Sequence, residues 1–143
     1  GSKKEWLVEQ TKELKNIKFF NLVPYSELSD LLCSASMHVL FQKIDVIDTV
    51  MPSKILGMMA SKKPSLITGN LRSEVNSTIK ESKAGMYFDD KDINQAINFA
   101  LSIKEDKDLY DEYSNHSRDY VLEKFSKEKI LTQFNNTLNE LLQ

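Results

Sequence analysis

Apolar and polar positions along the chain change period in a regular order. From Lys4 to Leu14 the spacing of Trp6, Leu7, Gln10 and Leu14 is that of one helical face. Ile17 to Phe20 is a short apolar run and predicts a strand. Asn21-Leu22-Val23-Pro24 reads as a loop, and Ser26-Glu27 opens a helix to about Ser34 that buries Leu28, Leu31 and Leu32. Met37 to Phe41 is compact and apolar and predicts a buried strand. A polar loop follows, then a helix ending at Lys62 and Lys63, where cations suit the helix dipole.

The alternation continues with a strand over Ser65 to Thr68, broken by Gly69-Asn70, and a helix over Ser73 to Ser82 with Val75 and Ile79 inward. Gly85 to Phe88 is the last strand, and Asp89 to Asp92 offers N-cap residues. A helix from Ile93 to Ile103 is expected to bury Ile93, Ile97 and Leu101. Another, from Lys107 to Lys124, carries Leu109, Tyr113, Tyr120 and Val121. Ser126 caps the final helix, which has Ile130, Phe134, Leu138 and Leu141 on one side. This alternation predicts an α/β fold: a Rossmann-like parallel sheet with helices on both faces, followed by C-terminal helices. In such folds ligands bind at the carboxyl ends of the strands, here Phe20 to Pro24, Phe41 to Pro52, Thr68 to Asn70 and Phe88 to Asp90.

Composition narrows the function classes. The 143 residues suffice for one domain with a core, Gly1 and Ser2 reading as an expression scar. With 19 basic against 21 acidic residues, and Arg72 and Arg118 the only arginines, nucleic acid is not an expected partner. The one cysteine, Cys33, forms no internal disulfide, fits a reducing compartment, and is expected in the core. No apolar stretch reaches membrane-span length and no signal peptide is visible, so a soluble, cytoplasmic protein is expected.

The longest of the four loops opens the stretch from Asp45 to Pro64. Pro52 suits the first position of a helix, and the free N–H groups behind it form an anion site. Lys54 lies at the wrong end of the helix dipole for a cation unless an anion docks beside it. Gly57 costs about 1 kcal/mol in a helix interior relative to Ala, and close approach of a ligand or of another backbone gives a reason to keep it. Two readings stand equally here: a plain buried helix with an exposed lysine, and an anion-binding loop.

Other chemistry is absent. There is no G-x-G-x-x-G, no Walker loop and no nucleophile elbow, and one cysteine with the separate His38 and His116 makes a zinc site unlike this chain. His38, on a buried strand, is expected to be a satisfied core histidine, and Asp45 and Asp48 to be solvated loop carboxylates.

Four stretches, in order, resemble the C-terminal, donor-binding domain of retaining family-four glycosyltransferases of GT-B architecture. K-F-F-N-L-V-P-Y-S-E-L is similar to the family's strand, loop and "Val-Pro-x-x-Glu-Leu" helix start. L-L-C-S-A-S-M-H-V-L-F is similar to "Leu-x-x-Ala-Asp-Val-x-Val", and M-P-S-K-I-L-G-M-M-A-S-K-K-P to "Pro-Ser-Lys-x-x-Glu-x-Met-Ala-x-Gly-Lys-Pro". D-Y-V-L-E-K-F-S-K-E-K-I resembles the C-terminal "Phe-Ser-x-x-x-Ile" junction. Within the family the wording is nearest to WbuB-type enzymes of bacterial O-antigen and capsule polysaccharide synthesis, associated with N-acetyl-L-fucosamine transfer.

The resemblance implies transfer of a sugar, with retention, from a nucleotide diphosphate sugar, UDP-linked by expectation, to a lipid-linked acceptor. It implies that Ser53 and Lys54 hold the diphosphate, that Val23, Pro24 and Gly57 line the nucleoside pocket, and that no metal or other cofactor is needed. The family's two glutamates, separated by seven residues, are replaced by Thr49 and Gly57, so Asp48 or Thr49 is expected to take the contact to the donor sugar. WbuB-like and colanic-acid-type relatives share that departure, which the resemblance reads as a subfamily trait.

The chain after residue 2 is thus expected to be one domain, cut at its N-terminus and inactive alone. The acceptor-binding N-terminal domain and the first strands of this domain lie outside it. Peripheral association of the whole enzyme with the cytoplasmic face of the inner membrane is a further expectation, and so is a homodimer through the last helix. Two other readings remain: a non-catalytic binding or assembly module of the same fold, favoured by Thr49 and Gly57, and a nucleotide-sugar epimerase, for which the acidic and histidine lining is wanting.

Overall fold

The computed structural model describes residues 3–45, 47 and 53–142. Three strands, β1 (His38–Phe41), β2 (Ser65–Thr68) and β3 (Gly85–Phe88), form a parallel sheet in the order β1-β2-β3. The register pairs His38 with Ser65 and Ser65 with Gly85. β2 is paired on both edges and all four of its residues are buried, which is why S-L-I-T carries no exposed polar alternation.

Helices cover both faces of β2 and β3. Against Leu40, Ile67 and Tyr87 pack Ile55, Met58 and Met59 of α3 (Ser53–Ala60), Val75 and Ile79 of α4 (Glu74–Ser82), and Tyr120 and Val121 of α6 (Lys107–Phe125). On the opposite face, Leu66 and Phe88 meet Ala96, Phe99 and Ala100 of α5 (Ile93–Glu105). α6 turns small buried residues, Ser114 and Ser117, inward, and its Ser117 Oγ and Arg118 Nη1 donate to the Met59 and Ala60 carbonyls. α6 thereby adds donors to carbonyls at the end of α3, of which Met59 also accepts the Lys62 N–H. The predicted cap forms at Ser126, which accepts from the Lys129 N–H at the start of α7 (Lys127–Leu141), and Ser73, read as the first residue of its helix, is instead the N-cap of α4 and accepts from the Val75 N–H. The strands over 65–68 and 85–88 and the inward Val75 and Ile79 are as the sequence predicts.

The departures share one cause: apolar segments without a covering neighbour. Ile17 to Phe20 is not a strand: it pairs with no strand, and β1 remains the edge of the sheet among the described residues. β1 itself is half-buried rather than buried, since the face carrying Val39 and Phe41 lies open, Phe41 being 72% exposed. α1 (Lys4–Thr11) ends before Leu14 and buries no residue. A one-turn 3₁₀ helix (Tyr25–Glu27) leads into α2 (Leu28–Ser34), which packs mainly on α3. Leu28 and Leu31 are consequently exposed, and Cys33 is an exposed thiol, not a core residue.

In α5 the buried stripe is Ala96, Phe99, Ala100 and Ile103, while Ile93, Ile97 and Leu101 face outward. Both stripes have helical spacing. Phe99 decides between them, its ring lying 6.0 Å from Phe88 and 5.4 Å, edge-on, from Tyr113. Asp92 occupies the N-cap position of α5 without a side-chain cap bond. Asp89 instead accepts the Lys91 N–H at 3.0 Å, which with the neighbouring Asp90 holds its carboxyl below the usual range.

Candidate functional site

α3 runs back along the sheet from the carboxyl side, so its first residues, Ser53 and Lys54, stand at the end where α/β folds bind ligands. Both are exposed, and no salt bridge among the described residues engages Lys54. The periodicity of α3 divides its sides. Ile55, Met58 and Met59 enter the core. Ser53, Gly57 and Ser61, at steps of four, lie along another face.

The Gly57 and Ser61 end of that face forms one wall of a cleft of about 610 Å³. Gly57, Ser61 and Arg118 line this side, and Tyr25, Leu28 and Leu32 line the other. Along α3 the cleft runs from Gly57 to Lys62, toward the helix's C-terminal end, and neither Ser53 nor Lys54 lines it. Packing by the described residues does not force Gly57: among them an added Cβ would meet only Leu32 Cδ1, at 3.4 Å, an ordinary contact. Its lack of a side chain leaves cleft volume empty. Cys33 also lines the cleft, which accounts for its exposure.

Ser61 is no nucleophile. Its hydroxyl donates to the Met58 carbonyl at 2.6 Å and lies 2.8 Å from His38 Nε2. Since the carbonyl only accepts, the serine proton is committed to it and His38 Nε2 is the donor to Ser61. The half-buried imidazole thus ties β1 to the end of α3, a satisfied histidine as the sequence predicts. Burial, and after it the charge of Lys63, holds its pKa below the ordinary 6.5.

Of the residues singled out in the sequence, Gly57 lines the cleft; Ser53, a turn earlier on the same side of α3, and Lys54 are exposed and do not line it. Val23 is half-buried and Pro24 exposed; neither lines the cleft, although Tyr25, next in the chain, does. Asp48, Thr49 and Pro52 lie outside the described residues. Sequence reasoning missed Tyr25, Leu32 and Arg118 as cleft residues. Tyr25 carried a signal, since it follows Val23-Pro24 in the quoted motif. Arg118, on α6, carried none. Among the described residues no cluster of His, Cys, Asp and Glu is arranged for a metal ion, and no helix is long and apolar enough to cross a membrane.

No protein-family model matches the chain, and no solved structure matches it significantly. Over 129 residues, 90% of its length, the chain is 26% identical to a protein of Escherichia coli (strain K12) whose name assigns it as colanic acid biosynthesis glycosyl transferase WcaI. The match covers 31% of that protein's length.

Proposed function

We propose that the chain is the donor-binding part of a retaining, GT-B-type glycosyltransferase that takes a nucleotide diphosphate sugar. The observation that carries this is the arrangement along α3: an open N-terminus with Ser53 and Lys54, and one turn on, Gly57 opening onto the cleft. In this reading the diphosphate accepts from the N–H groups at the start of α3 and from Lys54. Those donors sit where negative charge grows as the sugar–phosphate bond breaks, so they stabilise the departing diphosphate more than the intact donor. The nucleoside lies along Gly57, in the volume a larger side chain would occupy, with Val23, Pro24 and Tyr25 at its edge. The contact to the donor sugar is assigned to Asp48 or Thr49, which stand where the resembled family has its first glutamate. The similarity to WcaI over nearly the whole chain supports the glycosyl-transfer class.

Finer assignments complete the proposal: a UDP-linked donor, N-acetyl-L-fucosamine as the sugar, and a lipid-linked acceptor of O-antigen, capsule or related polysaccharide synthesis on the cytoplasmic side of the inner membrane. The acceptor is held by a further domain, and the chain is inactive without it.

Calorimetric titration with UDP tests the site. Lys54→Ala should weaken binding by roughly 1.5–3 kcal/mol, the worth of a charged hydrogen bond. An unchanged affinity removes Lys54 from the site. A second reading, a sugar-binding or assembly module without transferase activity, is favoured by Thr49 and Gly57 standing where the resembled family has glutamates. A full-length protein that transfers no sugar from any nucleotide donor would establish it.

A further inference from the structure

The cleft decides where the rest of a ligand held at the start of α3 goes. Ser53 and Lys54 lie outside it, and along α3 it extends only from Gly57 toward Lys62. A diphosphate at Ser53 with its nucleoside along Gly57 therefore carries its base toward Ser61. The helical path holds that far, since the Ser61 N–H still bonds to the Gly57 carbonyl at 3.2 Å. The steps of about 1.5 Å between Ser53 and Ser61 add up to roughly 12 Å. An extended pyrimidine nucleoside diphosphate has about that span.

Two neighbouring groups at that end have hydrogen-bonding senses that the protein fixes. The Arg118 guanidinium carries donors only. One of them, on Nη1, is held by the Ala60 carbonyl, which anchors the planar group at the end of α3. Arg118 belongs to none of the ion pairs among the described residues, so its other N–H groups are not spent on a carboxylate. Ser61 is the opposite case. Its proton goes to the Met58 carbonyl and one lone pair takes the His38 N–H, so its oxygen can only accept from a ligand. Across the cleft, the hydroxyls of Tyr25 and Ser29 can turn either way and select nothing, while Leu28, Leu32 and the Tyr25 ring offer apolar surface to a base.

We propose that Arg118 and Ser61 select the base of the bound nucleotide, taking keto bases and rejecting amino bases. A fixed donor beside a fixed acceptor matches an edge that sets a carbonyl oxygen next to a ring N–H, as uracil and guanine do. Cytosine and adenine present an amino group next to a bare ring nitrogen, which sets donor against donor and acceptor against acceptor. Arg118 carries the discrimination because it is anchored; Lys62 adds a donor on a flexible stem. The proposal rests on the donor-site reading above and narrows it from nucleotides to one class of them.

UDP and CDP differ only at this edge, so calorimetry with the two, and with inorganic pyrophosphate, tests the proposal on the 143-residue chain. The unmodified chain should bind UDP about tenfold or more tighter than CDP, the worth of one hydrogen bond to a charged group, and Arg118→Met should bring the two within about twofold. Arg118→Lys, which keeps a charged donor, should retain most of the preference. Lys62→Gly should retain it too, and folds without strain because Lys62 already stands at φ 60°. Pyrophosphate should bind the unmodified chain and Arg118→Met equally. Each preference is a ratio within one variant, so partial unfolding weakens both nucleotides and leaves it unchanged. Equal affinity of the unmodified chain for UDP and CDP overturns the proposal and leaves the donor site standing. A preference that survives Arg118→Met overturns it as well, and so does pyrophosphate binding lost in that variant, which would make Arg118 part of an anion site. If the unmodified chain binds neither nucleotide, the donor-site reading fails and this proposal falls with it.

Discussion

Gly57 shows how far a single residue can be read. Its cost in a helix signals a reason for its presence, and the structure narrows that reason to the empty volume beside it. Gly57→Leu should therefore keep or raise the melting temperature, since helix propensity gains up to about 1 kcal/mol, while nucleotide binding falls. A loss of folding would show that packing required the glycine. Lys54 stands out in the sequence on the same kind of ground, because a cation at a helix N-terminus is an electrostatic misfit without an anion. Arg118 was not, as its place beside Ala60 depends on how α6 crosses α3.

His38 gives a pH prediction at the same scale. Its folded-state pKa lies below 6.5, so below 6.5 the unfolded chain binds a proton that the folded chain resists. The stabilisation is complete above 6.5 and declines as pH falls through the window between 6.5 and the lower folded value. Urea melts of His38→Gln should lose this part of the pH dependence; a slope equal to that of the unmodified protein would contradict the assignment.

Among the elements, α5 is the instructive case. Periodicity announced a helix and its length but offered two apolar stripes, and the aromatic contacts of Phe99 with Phe88 and Tyr113 select one. Denaturant melts should show Phe99→Ala costing about 3 kcal/mol, against less than about 1 kcal/mol for Ile97→Ala on the exposed stripe. Comparable costs would mean that the faces are misassigned. At the end of α4, Lys83 adopts a left-handed conformation, φ 51°, as the C-cap. Lys83→Gly should stabilise the protein by about 0.5–1 kcal/mol by removing the Cβ conflict. The strands were legible where they are central. β2 was read correctly because both its edges and both its faces are covered. Ile17 to Phe20 and β1 were misjudged because burial of an apolar run depends on neighbours that lie elsewhere in the chain.

Across the whole molecule, the covered and open regions divide sharply. The core lies between the sheet and α3, α4, α5 and α6, while Phe20, Leu22, Tyr25, Phe41 and the apolar side of α7 remain exposed. The same α3 contributes Ile55, Met58 and Met59 to that core and Gly57 to the cleft, so the fold sets the position of the site. The central claim, that a nucleotide diphosphate binds along α3, is tested most directly by a proton–nitrogen NMR titration with UDP, GDP and inorganic phosphate. The account predicts saturable shifts with UDP, centred on Ser53, Lys54 and Gly57 and extending to Val23 and Tyr25, with GDP and phosphate weaker. Shifts with no nucleotide, or shifts confined to residues away from α3 and the cleft, would contradict it.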